Sequence, residues 1–214
     1  MRIKFCGITR LEDAEHAAEL GAWAIGLIHW GASERFCEPA NATEISAAVR
    51  RRLEVVGVFV NPSLGEVAAA AENAPLSILQ LHGEEGPAFC QEAARRTGCK
   101  VIKAVRVRSA AQVQDAEAHR TDFHLFDAHH AGRRGGTGKS FDWELLRRRH
   151  SEIPAIVAGG LGPENVAEAI TVTRPFAVDV AGGVESAPGI KDHALMTEFA
   201  ERARAAAPSP RVGA

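Results

Sequence analysis

Short runs of aliphatic and β-branched residues alternate along this chain with longer stretches in which apolar positions recur every three or four residues among Ala, Glu and Arg. Runs of the first kind predict buried strands, the second kind amphipathic helices, and their alternation from end to end is the βαβα signature of a parallel sheet. The predicted strands occupy residues 3–6, 24–28, 55–60, 78–81, 101–105, 123–127, 155–158 and 177–180. Helical periodicity occupies residues 11–20, 42–51, 64–73, 87–97, 110–119, 141–150, 163–171 and 192–204. Eight such units in 214 residues leave about 27 residues each, which fits a single-domain (β/α)8 TIM barrel over residues 1–204. A doubly wound open sheet is the competing architecture, but it needs a topological switch point and usually has fewer strands. Residues 205–214 read as a flexible C-terminal tail.

In a barrel of this kind chemistry gathers just past the C-terminal ends of the strands. Cys6-Gly7, Ser33-Glu34-Arg35, Asn61-Pro62 and His82-Gly83 follow the first four strands, and Asp127 closes the sixth. After the seventh and eighth come Gly159-Gly160 and Gly182-Gly183, at the position where such barrels hold a phosphate on backbone N–H groups. The alternative is two turns whose glycines only supply positive φ. Gly162-Pro163 reads as a helix start with proline at its first position. The stretch from Gly132 to Lys139 is glycine-rich and longer than a typical connector, which suits a loop closing over a substrate; its spacing fails the nucleotide P-loop pattern.

Cys6 and Asp127 form a candidate proton-transfer pair held apart across the barrel mouth. A cysteine acts as a base only as thiolate, and an ordinary thiol is mostly protonated at neutral pH. Lys4, two residues earlier on the same strand face, either lowers the Cys6 pKa or makes a buried ion pair with Asp179 of the eighth strand. Asp127 ends an otherwise apolar strand, surroundings that favour a protonated carboxyl able to donate. Read without that context, Cys6 is a buried structural thiol and Asp127 a loop cap.

Composition narrows the setting. Hydrophobic residues make up 46% and charged residues 24%, as in ordinary globular proteins, and a net charge of −2 gives no basic footprint for nucleic acid. The basic run from Arg147 to His150 reads as a solvated helix end. With no secretory signal and no apolar stretch near the ~18 residues of a membrane span, a cytoplasmic location is expected. The four cysteines form no CxxC and His129-His130 are adjacent, so reduced thiols and no metal are expected. Monomer and homodimer both remain open.

KFCGITRLEDA from Lys4, GAWAIGLI from Gly21, VGVFVN from Val56, LQLHG from Leu79, VIKA from Val101, GGTGKSFDW from Gly135, AGGLGPENV from Ala158 and GVESAPGIKD from Gly183 together resemble the phosphoribosylanthranilate isomerase family of tryptophan biosynthesis, over nearly the whole chain. The resemblance implies an Amadori rearrangement of a small phosphoribosyl substrate, without cofactor, in which Asp127 protonates the ribose ring oxygen and Cys6 takes the proton from C2. It also implies that Arg35 faces the anthranilate carboxylate. His82, Gly136 and Asp179 are the further substrate-binding candidates, and Gly159, Gly160, Gly182 and Gly183 the phosphate-binding ones. Departures from the family pattern fall at Ile28-His29-Trp30, at Glu34 where a proline is usual, and at Ala181-Gly182, where two serine hydroxyls are usual. Two rivals are the related histidine-pathway aminoaldose isomerase, which carries Asp at the position of Cys6, and a non-catalytic phosphoribosyl-binding barrel.

Overall fold

The computed structural model describes residues 1–127, 143–147, 149 and 151–207. Its principal sheet contains β1 (Arg2–Cys6), β2 (Ala24–Ile28), β3 (Glu54–Phe59), β4 (Ile78–Leu81), β5 (Lys100–Arg106), β6 (Phe123–Asp127), β7 (Ala155–Ala158) and β8 (Ala177–Val180). All pair in parallel with their sequence neighbours, and β8 pairs back onto β1, closing the barrel. The helices are α1 (Leu11–Glu19), α2 (Pro39–Val49), α3 (Leu64–Asn73), α4 (Pro87–Thr97), α5 (Ala110–Asp115), α6 (Glu144–Arg147), α7 (Val166–Thr173) and α8 (His193–Ala205). The TIM barrel read from the hydrophobic pattern is the observed fold. Among the described residues, no helix is long and apolar enough to cross a membrane.

Side-chain alternation divides the core into two layers. Phe5, Ile25, Leu27 and Val178 point outward and pack beneath the helices, where Phe5 meets Phe199 of α8 edge-on. Ala24, Val56, Val58, Ile102, Leu125 and Ile156 fill the barrel interior. At the N-terminal end Trp23, Phe123 and Phe176 close the interior with ring centroids 5.1–5.5 Å apart. Three polar side chains interrupt the interior: Lys4, Gln80 and Asp179, all buried.

Local chemistry sets several helix ends. Ser63 and Glu66 form a reciprocal capping box on α3. Asp192 stands outside α8 and caps it, its carboxylate accepting from Ala194 and Leu195 N–H. Pro163 is not the first residue of α7. The helix begins at Val166, because Asn165 folds back so that its Oδ1 accepts from Gly162 N–H and its Nδ2 donates to Gly160 O, spending the preceding residues on a turn. Beyond β8, a 3₁₀ turn (Gly182–Val184) leads into a small antiparallel hairpin, β9 (Glu185–Ala187) and β10 (Ile190–Lys191), which the hydrophobic pattern did not predict.

Candidate active site

Lys4 and Cys6 lie on the inward face of β1, two residues apart. Lys4 has no exposed surface; its Nζ donates to Asp179 Oδ1 at 2.8 Å across the β1–β8 seam, where the two residues are in register. The same ammonium faces the cysteine. A Cβ built on Gly26 of β2 would stand 2.7 Å from Cys6 Sγ and 3.1 Å from Lys4 Nζ, so only glycine leaves room for both side chains. Burial pushes the Cys6 thiol above its ordinary value, Lys4 offsets this only in part, and Asp179 adds to it. Both roles considered for Lys4 are therefore present, the ion pair with Asp179 and a lowering of the Cys6 pKa, but desolvation of a residue only 6% exposed outweighs the neighbouring cation. Lys4 itself is pushed down by burial but carried above its ordinary value by Asp179 and Cys6, so it stays a cation.

Asp127 closes β6 at the barrel rim. Its carboxyl is not enveloped by the apolar residues of its strand: the side chain keeps about 20% of its surface, and Oδ2 lies 3.3 Å from His82 Nε2. His82 in turn meets buried Gln80 through Nδ1, 3.1 Å from the amide nitrogen. The segment carrying His82 is held from below by Glu85. That carboxylate accepts from the N–H groups of Asn61 at 2.8 Å and Gly83 at 2.9 Å and pairs with Lys103 at 2.7 Å, while Lys103 also donates to Gly83 O. Three donors making four hydrogen bonds satisfy a carboxylate that would be costly to bury alone, and they tie β5 to the segments that follow β3 and β4. Gly136 and the glycine-rich loop from Gly132 to Lys139 lie outside the described residues.

Arg35 arrives from the β2–α2 loop and forks onto Glu185, its Nε 2.9 Å from Oε1 and its Nη2 2.7 Å from Oε2. Glu185 also receives Lys191 at 2.8 Å, and Lys191, buried, donates to the backbone oxygens of Cys6 at 2.6 Å and Ala181 at 3.1 Å. This network joins the hairpin to the strand end that carries the candidate base. Burial alone would raise the Glu185 pKa, but the hydrogen bonds from Arg35 and Lys191 prevail and hold it below the ordinary carboxylate value. Burial holds Lys191 below its ordinary value despite Glu185. Arg35 has room because Gly7 and Gly182 lack side chains: a Cβ at those positions would come within 2.7 Å of Cδ and 3.3 Å of Nη2.

The four candidate phosphate-site glycines separate into two kinds. Gly159 and Gly160 have φ of +91° and +65°, so turn geometry by itself accounts for glycine there. Gly183 is required by contact, since a Cβ on it would fall 1.9 Å from Leu161 O, packing the loop after β8 against the loop after β7. Gly182 and Gly183 open the 3₁₀ turn, whose first N–H groups have no partner within the turn. Both are exposed, as is Gly160.

Asp179 therefore sits below Cys6, bonded to Lys4, while Cys6, Asp127, Arg35, His82 and the paired glycines stand at the C-terminal rim. Glu185, Lys191 and Gln80 escaped the sequence reading. Only Gln80 carried a signal there, a polar residue two before His82 on an inward face, repeating the Lys4–Cys6 spacing.

Comparison with known proteins agrees with this geometry. The family model described as N-(5'phosphoribosyl)anthranilate (PRA) isomerase matches residues 3–202. The N-(5'-phosphoribosyl)anthranilate isomerase of Geobacter metallireducens is 43% identical over 205 residues, covering 96% of this chain and 100% of that protein. The crystal structure of phosphoribosyl anthranilate isomerase from Thermotoga maritima superposes with a TM-score of 0.86 at 40% identity, covering 96% of this chain and 99% of that one. A phosphoribosyl anthranilate isomerase in complex with reduced 1-(o-carboxyphenylamino)-1-deoxyribulose 5-phosphate superposes at 0.84 with 38% identity, again covering 96% and 99%.

Proposed function

Because the chain belongs to the N-(5'-phosphoribosyl)anthranilate isomerase family, we propose that Cys6 and Asp127 are the base and acid with which it carries out the family's rearrangement. The enzyme is an aldose-ketose isomerase, an intramolecular oxidoreductase of tryptophan biosynthesis. It converts N-(5-phosphoribosyl)anthranilate to 1-(2-carboxyphenylamino)-1-deoxyribulose 5-phosphate. One observation carries the residue assignment: Cys6 on β1 and Asp127 on β6 point into one barrel mouth, each backed by its own polar partner, Lys4 or His82.

In this scheme Asp127 gives its proton to the ribose ring oxygen as the C1–O bond breaks, leaving an iminium at C1. The Cys6 thiolate then takes the proton from C2, and the C2–H electron pair moves to neutralise the iminium as the enolamine. Tautomerisation of the enolamine gives the ketone. One proton enters and one leaves, and no cofactor takes part. Cys6 rests as a thiol, so the scheme needs a thiolate formed at the moment of reaction, and Lys4 is the cation that stabilises it. Arg35 meets the anthranilate carboxylate with the edge of its guanidinium that Glu185 leaves open, and Glu185 fixes the orientation of that edge. The backbone N–H groups of Gly160, Gly182 and Gly183 hold the phosphate, with Gly159 shaping the first loop. His82 contacts the substrate beside Asp127, and Asp179 acts from below through Lys4.

Purified protein mixed with N-(5-phosphoribosyl)anthranilate and no added metal or nucleotide is expected to consume it. Loss of anthranilate-type fluorescence reports turnover, and mass spectrometry identifies the ketose. Folded protein that leaves the substrate intact refutes the reading. Turnover confined to the histidine-pathway aminoaldose moves the assignment to that enzyme.

A further inference from the structure

Gln80 is the inward polar residue that the scheme above leaves without a task. It lies in β4 between Leu79 and Leu81, 1% exposed, and its amide oxygen is buried without a hydrogen-bond partner. A buried carbonyl in that condition is a standing cost, which an apolar residue of the same shape would remove. What the amide does contact is His82: its Nε2 lies 3.1 Å from Nδ1, and the opposite ring nitrogen lies 3.3 Å from Asp127 Oδ2. Strand alternation places residues 80 and 82 on one face, so the amide stands directly below the imidazole.

An amide N–H can only donate. With Gln80 donating, Nδ1 must be a bare acceptor, the ring proton must reside on Nε2, and that N–H points at Asp127. Protonating Nδ1 as well would set two N–H donors against each other. Among the described residues, the charged groups that face this segment are Asp127 on β6 and the Glu85–Lys103 pair beneath the loop, and neither is hydrogen-bonded to Nδ1.

We infer that Gln80 is a positioning residue that holds the His82 proton on Nε2, aimed at the Asp127 carboxyl. The other tautomer would turn a bare nitrogen toward that carboxyl. A neutral Nε2–H instead donates to the carboxylate as it forms, a contact that strengthens along the reaction. The inference rests on Asp127 being the proton donor proposed above.

Nitrogen-15 NMR of histidine-labelled, ligand-free protein at neutral pH tests it, with the His82 signals assigned by their loss in His82→Asn. The expected result is a neutral ring protonated at Nε2 and bare at Nδ1. An imidazolium, or a proton on Nδ1, overturns the inference. Gln80→Met, which keeps the shape and removes the donor, is expected to shift the His82 signals away from the pure Nε2–H form. It should lower kcat about tenfold with KM within about twofold, a fraction of the ~10²–10⁴ that a general acid supplies. Unchanged His82 signals together with unchanged kcat in a folded Gln80→Met protein also overturn it. Should that variant fail to fold, the wild-type spectrum decides alone. Absence of turnover by the wild type sinks the functional reading and leaves the tautomer result standing, so the two failures are distinguishable.

Discussion

The two sides of the barrel mouth solve opposite problems. On the β1 side the candidate base is buried, and beneath it lies an ion pair with almost no access to water. On the β6 side the candidate acid keeps a fifth of its surface and, among the described residues, meets an imidazole that in turn meets a buried amide. A thiol in a dry site resists losing its proton, and the fixed lysine is what makes the loss attainable. On the β6 side the scheme asks for a proton donor, and the hydrogen bond from His82 meets the carboxylate as that proton leaves. One side stabilises a thiolate, the other a carboxylate.

Removing either reacting group is the most severe challenge to that contrast. Cys6→Ser and Asp127→Asn are each expected to lower kcat by about 10³–10⁴, at the upper end for acid–base catalysis, while a phosphorylated product analogue still binds by calorimetry. Near-normal turnover in one variant would leave that side without its assigned role.

Lys4→Met attacks the charged side alone. It leaves Asp179 buried and unpaired, so a loss of about 3–5 kcal/mol is expected from urea unfolding. Adding Asp179→Leu should recover most of that stability without restoring turnover, which separates the structural from the electrostatic duty of the pair. Alkylation of Cys6 by iodoacetamide provides the pH test. Burial raises the thiol pKa, so the rate should climb only at pH above that where an ordinary thiol ionises, and Lys4→Met/Asp179→Leu should move the climb higher still.

A smaller effect is expected from Glu185→Gln, which loosens the fork on Arg35 without touching either reacting group. KM for phosphoribosylanthranilate should rise about tenfold, just under the ~1.5–3 kcal/mol of a charge-assisted hydrogen bond because the fork acts on substrate only through Arg35, with kcat within about threefold. Smallest is Ser63→Ala, which removes the cap of α3 on the outer shell. About 1 kcal/mol of stability should go, read from the urea midpoint, with steady-state kinetics unchanged. A change in kcat there would mean that the mouth is coupled to the helical shell as a whole.

Much of this was legible in the amino-acid order because it is local. Strands 24–28, 78–81, 123–127, 155–158 and 177–180 have the boundaries that the sequence predicts, since each is a short, largely apolar run with a polar or glycine residue at its end or within two residues after it. The Lys4–Asp179 pair was one of two alternatives, available because closing a barrel necessarily brings its first and last strands together. What stayed hidden depends on contacts between distant segments. Glu185 meets Arg35 across 150 residues of sequence, and the hairpin carrying it is built from Glu-Ser-Ala and Ile-Lys, too short and too polar for any strand signal. The sign of the Cys6 shift was equally out of reach. It turns on whether burial or Lys4 prevails, and burial is a property of the packed barrel.

The β1–β8 seam also bears on how the chain comes to be made. Lys4 leaves the ribosome 175 positions ahead of Asp179. Throughout that interval the nascent barrel is an open sheet whose first strand carries an unmatched cation, so burying that strand early would be penalised. Synthesis of the eighth strand removes the penalty and completes the base in one event. Until residue 179 is in place, burying the first strand therefore costs more than it does in the closed barrel.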